Sequence, residues 1–239
     1  MQANSFKKTV LVAGGTGGLG RAVALAFLAD GYYVSVTYQR PEEWTALQTS
    51  AGSLQSRLDG FAVDVTNDGA GKQLVGTLTT KHARLDALVN TVGGYAGGVK
   101  LWDLDSSTFE KMLALNLRSA FVLCSSVVPV MLKQSSGSIV NVSAKAAFDH
   151  AAGASAYAAS KAASLAMIDS LAADVNGTGI RVNSILPSII DTEANRKAMP
   201  NADFSKWPKP GDIARVILFL CSDDARVVHG AAIPVYGNS

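Results

Sequence analysis

Cysteine is scarce in this chain: Cys124 and Cys221 are the only two among 239 residues. They stand far apart in apolar helical surroundings, without the short spacing of a metal knot or a redox pair. That excludes a disulfide scaffold and leaves both as buried thiols, and no metal site is expected. An excess of one charge is also missing. Twenty-one Lys plus Arg face nineteen Asp plus Glu, a formal charge of +2 without a long run of either sign, so neither nucleic acid nor an anionic membrane is an expected partner. The opening stretch, Met1 to Thr9, has lysines but no apolar run behind them to make a secretory signal, and no segment reads as a bilayer span. The expected compartment is the cytoplasm. Low-complexity tracts and internal repeats are lacking too. A chain of this length can bury one sizeable core, and a single domain over 1–239 is expected.

What is present is an alternation of short β-branched runs with alanine- and leucine-rich helical stretches. The run 9–13 reads as a strand; it ends in Gly14-Gly-Thr-Gly-Gly-Leu-Gly20, after which 21–29 has helical spacing. Further strands are predicted at 33–37, 60–65, 85–91, 138–142, 180–186 and 231–236, and further helices at 44–58, 70–82, 106–133, 155–175 and 212–221. The stretch at about 190–210 has charges, three prolines and Trp207 without clear periodicity, which predicts a substrate-covering loop. The alternation as a whole implies an α/β fold: a Rossmann-type, doubly wound parallel sheet of about seven strands with helices on both faces.

Chemistry concentrates at the expected carboxyl ends of the strands. Gly14, Gly18 and Gly20 sit between a strand and a helix, where glycines permit a tight turn and free amides at the helix start receive a pyrophosphate. A site that prefers NAD(H) places a carboxylate at the end of the second strand, to hold the adenosine ribose hydroxyls. Here that position is Tyr38, followed by Gln39 and Arg40, so NADP(H) is expected over NAD(H), with Arg40 as partner of the 2′-phosphate. Asp64 closes the third predicted strand and suits either the adenine amino group or a helix cap. Gly93-Gly-Tyr-Ala-Gly-Gly98 follows the fourth strand and offers Tyr95 to a flat substrate or as a cover for the loop. Asn116, inside an apolar helix, needs partners: a backbone bond or a water relay. Tyr157 and Lys161, four apart on one helix, share a face, so an ammonium can lower the phenol's pKa and let it exchange a proton with a substrate.

Taken together these residues resemble the short-chain dehydrogenase/reductase family over nearly the whole chain. The resemblance implies Tyr157 as proton donor and Lys161 as its partner and holder of the nicotinamide ribose. It implies Asn116 behind Lys161 as anchor of a water relay, and Thr192 at the carboxamide. It further places the nucleotide along Gly14, Thr16, Gly17, Gly18, Leu19 and Gly20, then Tyr38, Gln39 and Arg40. Asp64, Val65 and Asn90 follow, and Pro187 and Ile189 close the list before Thr192. A homodimer or homotetramer, paired through the helices bearing Asn116 and Tyr157, is implied in the same way.

Three departures from the family pattern stand out. Asn90-Thr-Val-Gly93 is looser than the usual segment, and Ser188 stands where a glycine is usual. The third is Ala144, thirteen residues before the tyrosine, where carbonyl-reducing members carry a serine that donates to the oxygen gaining charge. The neighbouring Ser143 is a candidate substitute. The dihydropteridine reductase branch dispenses with that serine, and the segments 93–98, 143–149, 186–187 and 191–207 resemble it. The leading expectation is therefore an NAD(P)H-dependent reductase of a quinonoid dihydropterin or similar flat heterocycle, with Tyr95, Ala144 and Trp207 against the substrate. One alternative is a carbonyl or 3-oxoacyl-(acyl carrier protein) reductase using Ser143. The other, from a different class, is a non-catalytic NADP-sensing protein.

Overall fold

In the computed structural model, which describes residues 8–238, the strands form one seven-stranded sheet. These are β1 (Thr9–Ala13), β2 (Tyr33–Tyr38), β3 (Leu58–Ala62), β4 (Ala87–Asn90), β5 (Gly137–Val142), β6 (Ile180–Pro187) and β7 (Ala232–Val235). Every adjacent pair is parallel, in the order β3-β2-β1-β4-β5-β6-β7. Parallel strands need crossovers, and the crossovers coat both faces, which is why β1 is a fully buried run of Thr, Val, Leu and Ala instead of an alternating one. On one face α1 (Gly18–Ala29), α2 (Pro41–Ala51) and α8 (Pro210–Cys221) bury Phe27, Leu47 and Ile217. On the other, Leu78 of α3 (Asp68–His82), Leu123 of α5 (Ser119–Gln134) and Ile168 of α6 (Ser155–Asp174) pack together. The strand order reverses between β1 and β4, and the crevice at that switch point, above the carboxyl ends, is where open α/β sheets bind ligands.

Several predicted bounds move for physical reasons. The third strand occupies 58–62 instead of 60–65: its ladder with β2 opens at Leu58 opposite Val34, Gly60 within it passes Trp44 where a Cβ would meet the indole at 2.7 Å, and Asp64 is held in a turn by accepting from Thr66 N at 2.9 Å. Helix α2 starts at Pro41, whose missing N–H costs nothing in a first turn, and a 3-10 segment at Gly52–Arg57 replaces its expected end. The segment at 190–210, expected as a covering loop, is not structureless: it folds as α7 (Glu193–Ala198) and a 3-10 turn at Phe204–Lys206. Asp191 and Arg196 pair within it, and the Arg196 guanidinium lies 4.8 Å from the Phe204 ring centroid.

The long helix expected at 106–133 is α4 (Ser106–Leu113), a π turn at Ala114–Arg118, and α5. Contrary to the sequence reading, this run is long and apolar enough by length and composition to cross a bilayer. Here Leu123, Val127 and Met131 spend that apolarity on the sheet face shared with α3 and α6. Both cysteines are buried and their thiols pushed up to about 12 by desolvation, as isolated core thiols should be. Residues 1–7 of the opening stretch read above for a secretory signal lie outside the described residues.

Candidate active site

The glycine turn leaves β1 with Gly14 in the left-handed region (φ +73°), and Gly17 N donates to Gly14 O at 3.1 Å. A side chain at Gly20 would run into the Gly14 carbonyl, and one at Gly18 would come within 2.7 Å of the Thr192 methyl. The N-terminus of α1 receives no side-chain cap from Gly17, so its first amides are available to an anionic group. This cradle fits a pyrophosphate. Thr192 closes on it from the covering segment while its hydroxyl accepts from Asn195 N and starts α7. Thr91, leaving β4, ties the two sides of the switch point by donating to Ala13 O at 2.7 Å.

At the adenosine end Tyr38 stacks on Trp44, with rings 5.5 Å apart and 6° from parallel, and Gln39 is exposed. The Arg40 guanidinium is not free: it pairs with Glu43, whose other oxygen accepts from Thr16 Oγ1 at 3.0 Å. Sequence reasoning passed over Glu43, although a carboxylate three residues after an arginine at a helix start is a readable pairing signal. Leu19 and Val65 point into the core, which leaves only their main chains for a nucleotide. Asp64 spends one oxygen on Thr66 N and Oγ1, and Asn67, not Asp64, caps α3. Asn90 is buried; its side chain donates to Asn141 Oδ1 at 3.0 Å and accepts from Val92 N, so it braces the sheet instead of reaching the cleft.

Helix α6 brings Tyr157 to the same rim, half-buried, with Tyr95 edge-on to it at 5.0 Å between ring centroids. Burial first, and then Tyr95, pushes the Tyr157 phenol up to about 12. Lys161 is buried, brought down to about 8 by desolvation, and donates from Nζ to Val142 O at 2.9 Å. The expected lowering of the phenol by Lys161 is therefore absent here, because the ammonium is directed at a strand carbonyl and both groups have lost their water. Asn116 sits at the π turn and clamps the Tyr95 loop, accepting from Gly94 N at 2.9 Å and donating to Gly94 O at 3.0 Å and Ser160 Oγ at 2.9 Å. Its side chain is thus a structural clamp. Ser160 belongs to the same network and went unremarked in the sequence, though a buried serine among helical alanines needs such a partner.

Ser143 does not take the place of the absent serine: its buried hydroxyl donates to Lys161 O at 3.1 Å, turned toward the helix backbone. Ala144, 6 % exposed, begins the turn after β5 and offers no donor. Tyr95 is 70 % exposed and open to a ligand, whereas Trp207, at 7 %, is buried beside Phe204 and presents no face to one. Pro187 ends β6 at the rim and Ile189 is exposed beyond it. Ser188 donates to Tyr236 O at 2.8 Å, a bond that a glycine would lack. No cluster of three or more His, Cys, Asp or Glu suited to a metal occurs among the described residues.

A strand-turn-helix cradle for pyrophosphate and a Tyr/Lys pair on one rim can bind a dinucleotide and move a proton beside it. Comparison with known proteins gives the same picture. Residues 8–203 match the short chain dehydrogenase family. A 3-oxoacyl-[acyl-carrier-protein] reductase FabG from Thermotoga maritima is 32 % identical over 238 residues, covering 96 % of both chains. A D-threitol dehydrogenase from Mycolicibacterium smegmatis is 31 % identical over 239 residues, covering 96 % of this chain and 92 % of its own. Among solved structures, ElxO with NADP bound superposes with a TM-score of 0.91 at 27 % identity, over 97 % of this chain and 98 % of that one.

Proposed function

The chain belongs to the short-chain dehydrogenase family and is a nicotinamide-dependent oxidoreductase; from that premise we propose that it is an NADP(H)-dependent carbonyl reductase, with 3-oxoacyl esters as the first substrate class. A nicotinamide cofactor held along the glycine cradle would supply the hydride. Tyr157 gives the proton to the acceptor oxygen, and Lys161, 5 % exposed, holds positive charge behind it. The observation that carries this reading is the pair itself, a half-buried phenol and a buried amine on one helix at the rim of the glycine cradle. The FabG relatives at 32 % and 34 % identity favour the 3-oxoacyl class, while the NADP in the ElxO structure and Arg40 beside the adenosine end favour NADP(H). Ser143 is left out of this mechanism, since its hydroxyl is spent on Lys161 O.

A second reading, reduction of a quinonoid dihydropterin, is favoured by one specific feature. With Ala144 lacking a hydroxyl and Ser143 turned away, the site offers one fewer donor to a developing oxyanion. An electron-poor ring needs that polarisation less. Steady-state reduction of a 3-oxoacyl ester and of quinonoid dihydropterin, each with NADPH and NADH, separates the two: turnover of the ester alone supports the first reading, turnover of the pterin alone replaces it. Loss of all cofactor oxidation in Tyr157→Phe excludes an NADP-sensing protein without turnover. The cytoplasm is the compartment that such a reductase suits. A homodimer or homotetramer through α4, α5 and α6 is supported by Phe109 and Phe121, exposed on the first two, and light scattering tests it.

A further inference from the structure

The carboxylate that the second strand lacks at Tyr38 is present in space. Glu43, in the first turn of α2, reaches the end of β2 and the glycine turn at once, held by Thr16 Oγ1 on one oxygen and Arg40 on the other. Its side chain is 28 % exposed, while that of Arg40 is 68 % exposed. The carboxylate is therefore the fixed member of the pair and the guanidinium the movable one. Thr16 belongs to the pyrophosphate cradle and is itself buried, so Glu43 is fastened to the wall of the nucleotide cleft and not to open solvent.

We propose that Glu43 is the residue that sets adenosine-ribose specificity, by competing with the cofactor's 2′-phosphate for Arg40; this inference rests on the NADP(H) reading above. A 2′-phosphate can take Arg40 only by parting it from Glu43 or by lying beside the Glu43 charge, and both are unfavourable. A plain ribose hydroxyl meets no such penalty, because a carboxylate accepts from it. The pair thus narrows the preference for NADP(H) over NAD(H) that Arg40 alone would give.

Isothermal calorimetry with adenosine 2′,5′-bisphosphate and with 5′-ADP tests this on the intact chain without turnover. Glu43→Gln keeps the size of the side chain and an amide oxygen for Thr16, and removes only the charge. The bisphosphate should bind roughly tenfold more tightly to Glu43→Gln, a gain of the size expected from freeing one partly exposed ion pair and removing one nearby repulsion, with 5′-ADP within about twofold of wild type. Unchanged or weaker bisphosphate binding overturns the proposal. Arg40→Ala distinguishes the two levels. If Arg40→Ala weakens the bisphosphate while Glu43→Gln changes nothing, only the role of Glu43 falls; if Arg40→Ala has no effect on the bisphosphate, the NADP(H) reading falls and takes this inference with it.

Discussion

Ala144→Ser restores the hydroxyl that carbonyl-reducing relatives of this site are expected to carry, and its two effects can be separated. Ala144 has extended backbone (φ −161°, ψ 160°) that any residue adopts, so the substitution brings no backbone strain. The position is 6 % exposed, and without substrate the new hydroxyl has no assured partner. A buried unpaired hydroxyl costs about 1 to 3 kcal/mol, which in a chain of this size lowers Tm by roughly 3 to 10 °C. In the transition state the same group faces developing negative charge. A well-placed donor of this kind contributes about 2.7 to 4 kcal/mol, and because the surrounding shell has not been shaped for it we expect about half of the smaller figure, roughly 1.4 kcal/mol or a tenfold rise in kcat/KM for a ketone. Dihydropterin reduction should gain nothing. The assay is loss of reduced-cofactor absorbance with each substrate, alongside a thermal melt of the free protein. A variant that melts lower yet reduces ketones at the wild-type rate would refute the reasoning, since position 144 would then face dry interior and not the acceptor oxygen.

Tyr157→Phe should abolish reduction while cofactor binding, followed by nucleotide fluorescence, stays near wild type; retained turnover would remove Tyr157 from the proton path. Lys161 titrates at about 8 in the fold against 10.5 when free. Between those values the unfolded chain binds a proton that the folded chain has lost, so the contribution of Lys161 to stability is most unfavourable below pH 8 and is relieved as pH rises toward 10.5. Urea midpoints of the wild type should rise relative to Lys161→Met across that window, and the rate of reduction should fall above about pH 8 as the ammonium is lost. Asn116→Leu orphans Gly94 N and Gly94 O together and should cost roughly 2 to 5 kcal/mol in urea denaturation, with kcat/KM falling as the Tyr95 loop loosens. Gly20→Ala places a methyl against the Gly14 carbonyl, and nucleotide titration should show binding weakened by about tenfold or more.

The parts of the fold that were legible in the sequence are those decided locally. β1, the glycine turn and α1 follow from a β-branched run, glycines and helix formers within about twenty residues, and the Tyr157/Lys161 pair follows from helical spacing alone. What escaped depends on partners distant in the chain. The start of β3 is set by its ladder with β2, where Leu58 pairs with Val34, and the placement of Glu43 by Thr16, 27 residues earlier. Ser143 was ambiguous because the alternation of a strand ends with the strand. Its hydroxyl finds Lys161 O only because α6 docks there. The long helix was visible, but not the π turn, which exists so that Asn116 can reach Gly94 and Ser160.

That turn makes the helix a two-phase device. Each residue added to or removed from an α-helix rotates everything beyond it by about 100°. The extra residue within Ala114–Arg118 is what lets Met112 and Asn116 aim at one neighbour while Leu123, Val127 and Met131 aim at another. A deletion of one codon there would heal the helix into regular geometry and turn one of the two sets away from its partner. The segment can exchange side chains over evolutionary time, but it cannot change its length by one.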